Sequence, residues 1–176
     1  MQPAHIAFIA MLLTSGLASA AAVPQEVAGH IDHMKELCEE SHGTPMPPAP
    51  LFLVSGHLTG GGQMDWAIDE AGFVCDGARG IFSGTGGAQI FIFAGIAGGK
   101  AHQVFEHGAY GMRIERRKGH DTLWLRVGGP LCGQPGNPSH GDSIGCERPL
   151  VWNKAKDSFE FGPLSRVKIL SRPKYQ

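Results

Sequence analysis

Residues 55–100 read SGHLTGGGQMDWAIDEAGFVCDGARGIFSGTGGAQIFIFAGIAGGK and contain 13 of the chain's 26 glycines. The stretch ends in QIFIFAGIA (89–97), a continuous apolar run whose β-branched and aromatic residues predict a central strand buried on both faces. An earlier segment, MDWAID (64–69), alternates between apolar and polar or small residues and predicts a half-buried strand. The glycines between these segments indicate turns, so the stretch predicts the centre of an antiparallel sheet.

Further β-strands are predicted on the C-terminal side of this stretch. Residues 110–116 and 121–127 alternate around RKGH (117–120), which is typical of a β-hairpin. Residues 150–153 and 158–161 predict a second hairpin, and 167–170 a last short strand. On the N-terminal side, Val27, Ile31, Met34 and Cys38 recur at helical spacing within 24–40. We therefore expect a mainly β fold, an antiparallel meander forming a sandwich or a partly closed barrel, with one N-terminal helix.

The first twenty residues have the pattern of a secretory signal peptide. A short apolar segment (6–13) is followed by small residues ending in ASA (18–20). No later stretch approaches the roughly 20 apolar residues of a membrane helix. We expect residues 1–20 to be removed and 21–176 to form a single disulfide-stapled β-rich domain, periplasmic or secreted, with no transmembrane segment.

Charge is unevenly distributed along the chain. Residues 21–98 carry nine acids against two bases, a balance of −7, and residues 99–176 carry thirteen bases against seven acids, a balance of +6. The two halves could neutralise each other across the fold, or the second half could form a basic face for an anionic partner. No basic helix and no interleaving of aromatic with basic residues indicates nucleic-acid binding.

Four cysteines in an exported chain indicate two disulfides. Three pairings are possible. Cys132 and Cys146 flank a loop rich in Gly and Pro, which favours a local bridge and would leave Cys38 with Cys75. No C-x-x-C spacing supports a metal site at these cysteines.

The loop after residue 56 has the frame of a calcium-binding turn. Ca²⁺ requires 6–8 oxygen ligands, and the ligand positions here fall on His57, Thr59, Gly61 and Asp65, with Asp69 further along. Two carboxylates and one hydroxyl are few, so we expect a turn without a metal or other cofactor. The weaker alternative is a Ca, Zn or Cu site built from His57, Asp65 and Asp69 or from histidines elsewhere, namely His102, His107, His120 and His140.

These segments together resemble a family of small exported proteobacterial proteins of unknown function, which carry a DxNGDGxxD segment followed by CxGA and FCGSGGC steps. The similar segments are HLTGGG (57–62) with Asp65 and Asp69, CDGA (75–78), FSGTGGA (82–88), and Cys132 with CERPLVW (146–152). The family has cysteines where this chain has Ser83 and Ala88. Their joint loss implies that they paired with each other, which leaves Cys38–Cys75 and Cys132–Cys146 intact. The resemblance implies a fold and a compartment but no activity.

No catalytic motif is evident in the sequence. GTGG (84–87) lacks the Lys and Ser/Thr of a P-loop, Ser83 is not in G-x-S-x-G, and Asp69 and Glu70 are adjacent, so on a strand they would point to opposite faces. We expect an exported, non-enzymatic binding or interaction protein, monomeric, with an unidentified envelope or extracellular partner. The alternatives are a periplasmic metal-binding protein and an enzyme acting on envelope polysaccharide.

Overall fold

A computed structural model describes residues 22–171, so the predicted signal peptide lies outside the described residues. The described part of the chain begins with helix α1 (Gln25–Glu40) and continues as strands joined by turns and short 3₁₀ helices. The strands are β1 (Thr44–Pro45), β2 (Leu53–Gly56), β3 (Asp65–Asp69), β4 (Cys75–Asp76), β5 (Ala88–Ile96), β6 (Lys100–Ala109), β7 (Met112–Glu115), β8 (Thr122–Gly128), β9 (Gly145–Asn153), β10 (Ser158–Phe161) and β11 (Lys168–Ser171).

Two antiparallel sheets contain most of these strands. The first has the order β2-β3-β5-β6, and the second has the order β10-β9-β8-β7 with β11 also paired to β9. β1 and β4 form a separate two-stranded ribbon. The sheets pack as a sandwich and do not close into a barrel. The prediction of a mainly β, antiparallel fold with one helix is confirmed.

A single bent strand passes from one sheet to the other. Only Tyr110 and Gly111 separate β6 of the first sheet from β7 of the second. The two residues of the bend are hydrogen-bonded to β8: Tyr110 N–H donates to the Arg126 carbonyl at 2.7 Å, and Arg126 N–H donates to the Gly111 carbonyl at 2.9 Å. Gly111 has φ +134°, a conformation that favours glycine.

The main core lies between the two sheets. Ile90 and Ile92 of β5 meet Leu123, Leu125 and Val127 of β8, and all five are at most 2% exposed. The alternation predicted for 121–127 puts these three β8 side chains on one face, as observed. Burying each such side chain stabilises the fold by about 1.5–3 kcal/mol.

A second core lies between helix α1 and the outer face of the first sheet. Val27 and Met34 of the helix pack with Trp66, Ile68 and Phe93. The first sheet is therefore covered on both faces. This coverage explains a departure from the sequence prediction: β3 is buried from residue 65 through residue 68 on both faces, not half-buried.

Two disulfides hold the periphery of the sandwich. Cys38–Cys75, with Cα atoms 5.8 Å apart, joins the end of α1 to β4. Cys132–Cys146, with Cα atoms 5.7 Å apart, closes the loop between β8 and β9. Both are the pairs that the sequence favoured. Within residues 22–171 no helix is long and apolar enough to cross a membrane.

Candidate functional site

Asp65, the best-placed carboxylate of the calcium-like loop, is fully buried and is satisfied by protein donors. The backbone N–H of Thr59 donates to Oδ2 at 2.7 Å, the Thr59 hydroxyl donates to the same oxygen at 3.0 Å, and Gly95 N–H donates to Oδ1 at 3.0 Å. Donors therefore occupy the carboxylate positions that a cation would need. Asp65 fastens the loop to β5.

His57 lies in the same loop, but its hydrogen-bond partners are groups other than Asp65. Its Nδ1 lies 3.0 Å from the Gln63 carbonyl, and its backbone N–H donates to Asp121 Oδ2 at 3.0 Å. Asp121 also accepts from Arg117 N–H and from the Arg116 guanidinium. Burial alone would raise the pKa of Asp121, but these donors together hold it below its usual value.

Asp69 lies at the opposite end of β3 from Asp65, about 13 Å away for four residues of strand. The structure thus does not bring His57, Asp65 and Asp69 together. Two of the other histidines have different neighbours: His102 pairs with Asp157 at 2.7 Å, and His107 packs edge-on against Phe161. Among residues 22–171 no group of three or more His, Cys, Asp or Glu side chains is arranged to hold a metal ion.

The outer face of the second sheet carries a layer of charged side chains around Trp124, here called the charged layer. Trp124 points away from the main core but is only 4% exposed. Lys168 Nζ lies 4.1 Å, Arg113 Cζ 4.8 Å and Arg166 Cζ 5.9 Å from the centroid of its rings. Such cation–π contacts contribute about 0.5–2 kcal/mol each, depending on desolvation.

Two carboxylates, Glu115 and Glu147, lie within the charged layer and are already paired. Glu147 accepts from Arg113 Nε at 2.7 Å. The hydrogen bond from Arg117 lowers the pKa of Glu115, and the charge of Lys168 acts in the same direction. Five cations thus face two carboxylates, and the layer keeps a positive excess. The cations are Arg113, Arg117, Arg126, Arg166 and Lys168.

The acidic and basic halves of the chain do not neutralise each other by pairing. In the described part of the chain every ion pair joins residues of the same half. Five exposed acids and one lysine lie on α1, which covers the first sheet on the side away from the charged layer. The molecule therefore has an acidic helical side and a basic sheet side.

A groove of about 320 Å³ lies where the two sheets meet, here called the junction groove. Asp69, Arg126 and Glu147 supply its charged groups, and Leu51 and Met112 supply apolar walls. Gly111 also lines the groove: Asp69 Oδ2 is 3.8 Å from the position that a Cβ on Gly111 would take, and the Gly111 carbonyl accepts the backbone N–H of Arg126. A larger side chain at Gly111 would project towards Asp69.

Asp69 and Arg126 are the charged side chains of the junction groove that lack an ion-pair partner among the described residues. Neither forms an ion pair with any residue from 22 to 171, whereas Glu147 is held by Arg113. Burial raises the pKa of Asp69 and neighbouring Glu70 acts in the same direction, while backbone N–H donors at Ala71 and Met112 oppose the shift. The sequence indicates Asp69 as a candidate site residue but not Arg126.

Alternation within β8 was the one sequence signal that bore on Arg126. It placed the arginine on the face opposite the core, but it could not show that β3 ends beside it.

No protein-family model matches this chain, and neither a curated protein nor a solved structure matches it.

Proposed function

We propose that this chain is exported and acts as a non-enzymatic binding protein that engages an anionic polymer of the cell envelope or the extracellular space. The observation that carries the proposal is the positive excess of the charged layer, on the side of the molecule opposite the acidic helix. A surface of one sign attracts a polyanion and raises its rate of association. The two disulfides are compatible with an oxidising compartment outside the cytoplasm.

The geometry of the carboxylates supports binding over catalysis or metal chemistry. Hydrolysis of a glycosidic bond commonly uses two carboxyl groups flanking the bond, and in the junction groove Glu147 is bound by Arg113, which leaves Asp69 alone. A metal site at the loop would need Asp65, whose oxygens already accept three donors. Neither alternative gains a constellation from the described residues.

Binding to an immobilised polyanionic polysaccharide, polygalacturonate, tests the proposal, with neutral dextran as the reference. We expect binding to polygalacturonate only, weakening as salt is added, because exposed charges are screened beyond about 8 Å at physiological ionic strength. The variant Arg166→Gln/Lys168→Gln removes two cations of the charged layer. At about 0.2–1 kcal/mol per exposed charge, binding should weaken by roughly 2- to 30-fold.

Lys154→Gln/Lys156→Gln is the matched control, because it removes two exposed cations from the turn between β9 and β10, outside the charged layer. It should bind polygalacturonate nearly as well as the wild type. Equal losses in both double variants would show that net charge alone drives binding. No binding of the wild type at low salt, or binding to dextran as strong as to polygalacturonate, would refute the proposal.

A further inference from the structure

The junction groove contains two opposite charges that the protein does not neutralise. Arg126 and Asp69 both line it, yet no N···O distance between them is within 4 Å, and neither has another partner of opposite charge in the described part of the chain. The other carboxylates nearby have neighbours of their own. Glu147 accepts from Arg113 at 2.7 Å, and Glu70 lies 3.3 Å from the His30 ring, which pairs with it as an ion only when the ring is protonated. The groove therefore offers one negative and one positive group that no side chain of the described residues neutralises.

A ligand that satisfies both groups must carry a cation and an anion close together. The Asp69 carboxylate accepts Ala71 N–H at Oδ1 and is also approached by Met112 N–H. Two carboxylate oxygens offer about four acceptor positions, so positions remain for an ammonium group. The Arg126 guanidinium can hold a carboxylate through two parallel hydrogen bonds. Gly111, which also lines the groove, has no side chain to occupy the space beside the Asp69 carboxylate.

The remaining walls favour an apolar substituent. Both Leu51, which is 56% exposed, and Met112, which is 9% exposed, line the groove. The groove's volume of about 320 Å³ is at the small end of the range for ligand sites. We propose that the junction groove binds a small zwitterion of the α-amino-acid type, with its ammonium on Asp69, its carboxylate on Arg126 and an apolar side chain against Leu51 and Met112.

This site is distinct from polymer binding by the charged layer, although Trp124, Arg126 and Glu147 belong to both. Pairing with an ammonium group favours the ionised form of Asp69, so a bound zwitterion also lowers the pKa of this carboxyl group. That change can be followed by NMR titration of the Asp69 side chain, and a ligand bound elsewhere would not produce it.

Calorimetric titration of the purified protein with four probes tests the inference. L-leucine carries both charges and an apolar side chain, glycine carries the charges alone, isocaproate lacks the ammonium, and isopentylamine lacks the carboxylate. We expect L-leucine to bind at least about tenfold more tightly than each of the other three, because a site built for two charges disfavours a ligand with only one. Failure of both L-leucine and glycine to bind, or equal binding of L-leucine and isocaproate, would overturn it.

Two substitutions assign the charges. Asp69→Asn should remove the advantage of L-leucine over isocaproate, and Arg126→Gln should remove its advantage over isopentylamine. The controls Asp76→Asn and Arg79→Gln change exposed charges outside the groove and should leave all four titrations unchanged. Circular dichroism confirms that each variant is folded. Wild-type affinity in folded Asp69→Asn or Arg126→Gln would refute the site.

Arg166→Gln/Lys168→Gln separates this inference from polymer binding. The double variant should bind L-leucine as the wild type does while losing affinity for polygalacturonate. A parallel loss of both would show that one surface carries both activities and would overturn the separate zwitterion site.

Discussion

Replacing Asp65 with asparagine tests the structural role of the buried carboxylate. In the native protein Oδ2 accepts Thr59 N–H and Oδ1 accepts Gly95 N–H, at 2.7 and 3.0 Å. Asparagine has one acceptor oxygen, so its amide NH₂ must face one of these donors. The variant loses a hydrogen bond to a charged acceptor, about 1.5–3 kcal/mol, and leaves a backbone N–H without a partner.

We expect the free energy of unfolding to fall by about 2–4 kcal/mol in Asp65→Asn. For a chain of this size, each kcal/mol lowers Tm by about 2–4 °C, which gives a decrease of roughly 4–16 °C. Urea unfolding and calorimetry measure the two quantities. Asp76→Asn is the matched control, because Asp76 is exposed and the same change there should stay within about 0.5 kcal/mol.

Thr59→Val refines the test by removing the hydroxyl, which donates to Asp65 Oδ2 and accepts Gly61 N–H at 3.3 Å. Because Gly61 is exposed to solvent, the loss should remain near that of one hydrogen bond, about 0.5–1.5 kcal/mol. If the free energy of unfolding of Asp65→Asn lies within about 0.5 kcal/mol of the wild-type value, the carboxylate does not hold the loop to β5 and its structural role is refuted. If added calcium raises the Tm of the wild type but not of Asp65→Asn, the oxygens serve a metal and the assignment to backbone donors is wrong.

Two further predictions concern stability. The folded pKa of Asp121 lies below its unfolded value, so its stabilising contribution is present above about pH 4 and is lost as the pH falls through the folded pKa. In Asp121→Asn the free energy of unfolding, measured by urea titration, should therefore fall less steeply with decreasing pH below about pH 4 than in the wild type. The same steepness in both proteins would contradict this. Loop-entropy estimates for sequence separations of 37 and 14 residues are about 4 and 3 kcal/mol, so Cys38→Ser/Cys75→Ser should destabilise more than Cys132→Ser/Cys146→Ser in non-reducing urea titrations; the reverse order would show that packing around the bridges outweighs loop length.

Local patterns predicted the hairpins well because their contacts are close in sequence. Leu123 and Leu125 alternate with Trp124, and Gly119 permits the turn at φ +82°. The outward position of Trp124 also followed from alternation, but its burial did not. The ring is covered by Arg113 of β7 and by Arg166 and Lys168 of the C-terminal segment, two parts of the chain that lie far from Trp124 in sequence or on another strand.

The calcium-like loop shows a second reason for partial success. The frame around Asp65 was recognisable, and its carboxylate does organise the loop. The sequence could not show that Gly95, thirty residues away, supplies a donor. A satisfied carboxylate and a ligand carboxylate have the same sequence signature, and only the positions of the donors distinguish them.

The junction groove could not be predicted from the sequence, because the residues that line it come together only when the two sheets fold. Asp69 ends β3 of the first sheet, and Arg126 lies on β8 of the second. Their proximity depends on the bend at Gly111, where the chain changes sheets. No spacing between residues 69 and 126 records that geometry.

The bent strand at Tyr110 and Gly111 has a consequence for how the protein folds and unfolds. β6 pairs with β5 while β7 pairs with β8, so neither sheet can release its edge without disturbing the other. The two sheets should therefore unfold in one cooperative transition. A chain divided between residues 110 and 111 should yield two fragments that are each unfolded alone and recover structure only when mixed.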